Sequence, residues 1–217
     1  MDDRAIVWSD GAQCDPFGKL VVIAPSYLDS PDQKWIIGAP LIGRLAIAFH
    51  AQLTARMWTL DQINDDDGRL FETQLIQHGP DEGGDPFWLV GWSERDQRCG
   101  ILQFDPQGLP GTRAQAVRAA VSHELDDDNR AALETLVARA ISPRQVDMNA
   151  FGLTILEAQR RIPVSYQTGG QSYFRVGGYA VQSEIGRDGI RHEIIHHWPD
   201  KVGEMIDPFG LSRRAVS

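Results

Sequence analysis

The stretch from Gly177 to Trp198 does most to limit what this chain can fold into, because its letters fit two incompatible backbones. His192, Glu193, Ile194, Ile195 and His196 spell H-E-x-x-H, which on a helix is the zinc-peptidase signature. On a helix, residues four apart share a face at roughly 6 Å, close enough for two imidazoles to hold one zinc ion. On a strand they also share a face, but about 13 Å apart, too far for one metal. The neighbouring letters favour the strand. Tyr179 to Ile185 is one extended-type run, Gly186 to Gly189 is a turn, and Ile190 to Trp198 is a second run stopped by Pro199. A helix there would be short, would start just after Gly189 and would run into Pro199. Pro199 also stands where the extended zinc motif needs a glycine, and Glu204 is too close to serve as the distal ligand of the alternative form. The motif therefore reads as histidines decorating a hairpin, with a zinc peptidase through His192, Glu193 and His196 kept as the least favoured alternative.

The rest of the chain supplies an ordinary core. Its 217 residues are 42% hydrophobic and 24% charged, which suits a globular protein with one domain over 1–217 and an irregular tail from 206. The net charge of −9 argues against nucleic-acid or anionic-membrane partners. No apolar run is long enough to span a bilayer, and the acidic start carries no secretory signal. Cys14 and Cys99 are too few and too far apart for a disulfide framework. These features predict a cytoplasmic protein, and nothing calls for a cofactor.

Periodicity predicts strands at Ala5–Trp8, Lys19–Ala24 and Gln33–Gly38, joined as an antiparallel meander. Leu45, Phe49, Leu53, Met57 and Leu60 predict one long buried helix over 40–63. A second helix is expected over 70–77, two strands over 87–92 and 100–104, and helices over 113–121, 129–141 and 147–161. Trp8, Trp35, Trp88, Trp92 and Trp198 lie on or beside strands and are expected to pack between two sheets. Strand blocks alternating with helix blocks predict a layered α+β fold.

The chain resembles the N-terminal-nucleophile (Ntn) hydrolase superfamily, in particular bacterial and phage-associated proteins like the proteasome β subunit. Three segments carry the resemblance. Ala5 to Gly11 resembles the family's apolar strand ending in an aspartate. Trp35 to Gly43 resembles its strand-to-helix passage. Gly177 to Asp200 resembles its last hairpin. The resemblance implies a four-layer αββα sandwich of antiparallel sheets, and self-association, since such proteins form rings. It implies Asp10 as the active-site aspartate, and it puts Ser26 where the family has its lysine. The family's nucleophile is a first-residue Thr, Ser or Cys whose own amine is the base. Here removal of Met1 exposes Asp2, which has no hydroxyl or thiol. The expectation is a catalytically degenerate Ntn-fold protein acting as an assembly or interaction subunit, a homo-oligomer with room for another protein partner. The alternative is an active amide hydrolase with an atypical nucleophile, for which Asp10, Ser26 and Cys14 are the candidate catalytic residues. Asp10 also reads as a turn cap before Gly11, and Cys14 as a plain small residue.

Overall fold

A computed structural model describes residues 4–15, 18–39, 43–79, 86–108, 114–117, 147–164 and 172–210. It is an α+β protein whose chain divides into two compact units. The first comprises Met1–Val7, Ser26–Ser122 and Ser183–His192, and the second Trp8–Pro25, His123–Gln182 and Glu193–Ser217. Strands β1 (Arg4–Asp10), β9 (Tyr179–Gly186) and β10 (Gly189–His197) form a sheet in the order β1-β9-β10.

The first unit is built on an antiparallel meander of five strands, β4 (Tyr27–Ser30), β5 (Trp35–Gly38), β6 (Phe87–Ser93), β7 (Arg98–Phe104) and β8 (Ala114–Val117). Strand alternation gives this sheet two apolar faces. Trp35, Ile37, Phe87, Leu89, Leu102 and Phe104 pack against helices α1 (Arg44–Ala55), α2 (Leu60–Asp65) and α3 (Arg69–His78). Among Phe49, Phe71, Phe87 and Phe104, every pair of rings has centroids 4.8–5.8 Å apart. Such aromatic pairs add to what their burial contributes. Ile36, Val90, Cys99 and Ile101 point the other way and pack with Ala5, Val7, Ile185 and Ile190.

The second unit holds the short β2–β3 pair (Ala12–Cys14 with Leu20–Ile23) and helix α4 (Met148–Arg160). Asp147 caps α4, its Oδ1 accepting from the amides of Asn149 and Ala150 (3.0 and 3.3 Å). The apolar face of α4 meets Trp8, Val176, Ala180, Ile195 and Trp198. Among the described residues, no helix is long and apolar enough to cross a membrane.

Four sequence expectations are corrected here. The long helix over 40–63 is two helices. Met57 turns left-handed (φ 54°), the Trp58 carbonyl accepts from Trp35 Nε1 (2.8 Å), and a Thr59–Gln62 capping box starts α2. The apolar period runs through the break because both helices face the same sheet. The helix expected over 113–121 contains strand β8, where pairing with β7 from Phe104↔Ala114 to Ile101↔Val117 overrides helix propensity. The three amino-terminal strands do not form one meander. β1 joins β9, β3 pairs with β2, and β5 pairs with β4. Nor do three of the five tryptophans pack as expected: Trp35 faces the helices, and Trp8 and Trp198 pack with α4. The helix expected over 129–141 lies outside the described residues.

Gly152 sits in α4 directly against Trp8, where an added Cβ would come within 2.0 Å of the indole nitrogen. Glycine to alanine inside a helix ordinarily stabilises by about 0.5–1 kcal/mol. Here the clash dominates, so Gly152→Ala is expected to destabilise by about 1–3 kcal/mol in urea denaturation, the cost of overpacking.

Candidate functional site

In the second unit, several polar side chains converge on the backbone from Val176 to Gly178. β1 ends at Asp10 and the chain turns sharply at Gly11, whose position leaves no room for a side chain. An added Cβ would lie 2.6 Å from the Tyr179 ring. The turn directs the Asp10 carboxylate inward, where Oδ2 accepts from the amides of Ala12 (3.1 Å) and Gly177 (2.9 Å). Burial pushes this acid up to about 6, opposed by those amides and by the charge of Arg160.

Arg160, near the end of α4, and Asp200, just past β10, form a bidentate pair with side chains only 4% and 5% exposed. Arg160 Nη1 donates to Asp200 Oδ2 (2.7 Å) and Nη2 donates to Oδ1 (2.6 Å). Arg160 Nη1 also donates to the Val176 carbonyl (2.7 Å), and Asp200 Oδ2 accepts from the Gly178 amide (2.9 Å). The guanidinium lies over the Trp198 ring at 5.1 Å, and Trp198 Nε1 donates to Glu157 (2.6 Å). Glycine is required at 177, since a Cβ there would stand 2.5 Å from Asp200 Oδ2, and Gly178 is left-handed at φ 74°.

Cys14 ends β2 in this same unit and is half-buried. Burial first, and then the charge of Asp10, push its thiol up to about 11. A thiol in that state is protonated at neutral pH and is a poor nucleophile. Ser26 belongs to the first unit, half-buried in the bend before β4.

A second polar cluster lies wholly in the first unit. Ser183 Oγ and His192 Nδ1 are 2.8 Å apart, and His192 Nε2 is 3.3 Å from Asp29 Oδ2. The ring stacks on Tyr27 at 4.8 Å. The imidazole thus bridges the two, with Nδ1 toward the serine hydroxyl and Nε2 toward the carboxylate. The residue types are those of a hydrolytic triad, but Ser183 is fully buried and offers no surface to a substrate. His192 and His196 lie on the extended strand β10, and the ring of His196 packs edge-on to Trp198 at 5.4 Å. Among the described residues, no group of three or more His, Cys, Asp or Glu side chains is placed to hold a metal ion.

The sequence points to Asp10, Cys14 and His192 but not to their partners. Ser183 and His192 each stand three residues from the hairpin turn, a symmetry that could have paired them. Asp29 is 163 positions away from His192, and Arg160 is 40 from Asp200, with no motif linking either pair. No family model matches the chain, and no curated protein matches it in sequence.

Two outcomes follow. Asp10 has an ordinary value of 3.8, raised to about 6 in the fold. A raised acid is the reverse of the usual carboxylate case. Below pH 3.8 both folded and unfolded chains hold the proton; between 3.8 and about 6 only the folded chain does. Stability therefore falls over that window by about 3 kcal/mol, and Asp10→Asn removes this part of the pH dependence in denaturation curves. Asp200→Ala leaves Arg160 buried without a counterion and is expected to cost about 3–5 kcal/mol, read by the same unfolding assay.

Proposed function

We propose that this chain is a proteasome-β-like Ntn-fold protein that has lost hydrolytic chemistry and works as an assembly or interaction subunit. The reading takes helices α1–α3 on the five-stranded sheet, and α4 on residues of β1, β9 and β10, as the outer layers of an αββα sandwich. One observation carries the loss of chemistry: the groups around Asp10 are committed. The Asp10 carboxylate is turned onto two backbone amides, Arg160 is neutralised by Asp200, and the Cys14 thiol is held protonated by burial. That set supplies no free base beside an ionisable nucleophile, which covalent catalysis needs. A role in assembly is supported by strand β3, where Val21, Val22 and Ile23 are 51%, 43% and 39% exposed. Met205 and Phe209, in the same unit, are also about half exposed. Exposed apolar patches of this kind mark protein contact surfaces.

The test combines intact mass with reactivity. The purified protein is expected to show no cleavage to a chain beginning with Ser, Thr or Cys. Neither a fluorophosphonate nor a peptidyl epoxyketone should form an adduct, and a panel of amide substrates should not turn over. Turnover that disappears in Cys14→Ala or Asp10→Asn would overturn the reading.

A further inference from the structure

Among the described residues, strand β10 is the edge of its sheet. It has β9 on one side and, among the described residues, no strand on the other. It is nine residues long, and Arg191, His192, Glu193 and Ile194 along its middle are all exposed. A long edge strand presents a row of backbone donors and acceptors that will pair with another strand unless something blocks it. Charges are the usual block, and β10 carries two of opposite sign, Arg191 and Glu193, on the same face two residues apart.

We propose that β10 pairs antiparallel with the β10 of a second copy about a two-fold axis at His192, joining the two three-stranded sheets into one of six strands. In this register Arg191 of each copy stands opposite the other copy's Glu193, forming two cross-strand ion pairs related by the axis. Ile190 stands opposite the other copy's Ile194, which is 51% exposed in the single chain. Centring the axis on Arg191 sets arginine against arginine, and centring it on Glu193 sets glutamate against glutamate. The charges thus select one register and reject its nearest neighbours. His192 does not obstruct the axis, because its ring is held by Ser183, Asp29 and Tyr27 of its own copy. This interface is independent of whether the chain hydrolyses anything, so its failure leaves the non-catalytic reading standing.

Sedimentation equilibrium on the full chain, from micromolar to millimolar, tests it. The unmodified protein is expected to dimerise reversibly. Arg191→Glu and Glu193→Arg each bring like charges face to face twice, and each should weaken self-association about 10- to 100-fold. Mixing the two variants restores the ion pairs and should return the original affinity, as should the double exchange in one chain. Thermal melting of each variant shows that the exposed changes leave the fold intact. A protein that stays monomeric throughout the range would overturn the proposal. So would single variants that associate as the unmodified chain does, or dimerisation abolished by Val22→Asp and untouched by the β10 changes.

Discussion

In the second unit, the backbone from Val176 to Gly178 threads between two carboxylates and a guanidinium, and the surrounding structure is arranged to permit it. Asp10 takes the Gly177 amide, Asp200 takes the Gly178 amide, and Arg160 takes the Val176 carbonyl. Three segments far apart in sequence are thereby pinned to one loop: the end of β1, the last turn of α4 and the chain just past β10. Buried charge is costly unless paired and hydrogen-bonded. Arg160 and Asp200 neutralise each other through two parallel bonds. Asp10 is held by backbone amides, without a bidentate cation of its own, and burial raises its proton affinity. The glycine at 177 is the space that makes the arrangement fit, since any side chain would occupy the position of Asp200 Oδ2.

Legibility in the sequence follows periodicity. β9 and β10 are readable to within a residue or two because a Gly/Asp turn and Pro199 bound two extended-type runs, and α4 because its apolar positions recur at helical spacing. β2 escapes such reading because three residues are too few to show alternation, and β4 because Asp29 and Ser30 lie between Pro25 and Pro31 and look like a loop. An edge strand tolerates such residues where a central one does not. The break between α1 and α2 is hidden because both helices bury the same face, and only the Thr59–Gln62 box marks it. For the site, single residues are legible and partnerships are not. Asp10 is visible as an aspartate before a glycine, but its Gly177 amide lies 167 positions away. Contacts of that range come from topology, which local letters do not encode.

The Ser183, His192 and Asp29 cluster shows why residue types alone do not make chemistry. In a hydrolytic triad the serine must touch both the imidazole and the substrate. Ser183 touches the imidazole only, sealed in the first unit, and the opposite ring nitrogen faces Asp29. Those contacts fix the ring orientation, as they would in an enzyme, but the orientation serves the strand. A histidine tied down from both nitrogens and stacked on Tyr27 keeps the middle of β10 extended, with Arg191 and Glu193 turned to the opposite face. Opposite charges two residues apart on an exposed edge favour the register that sets each against its opposite and disfavour those that set like against like. That combination allows an exposed edge to be selective, because wrong registers set like charges opposite each other and are destabilised by it.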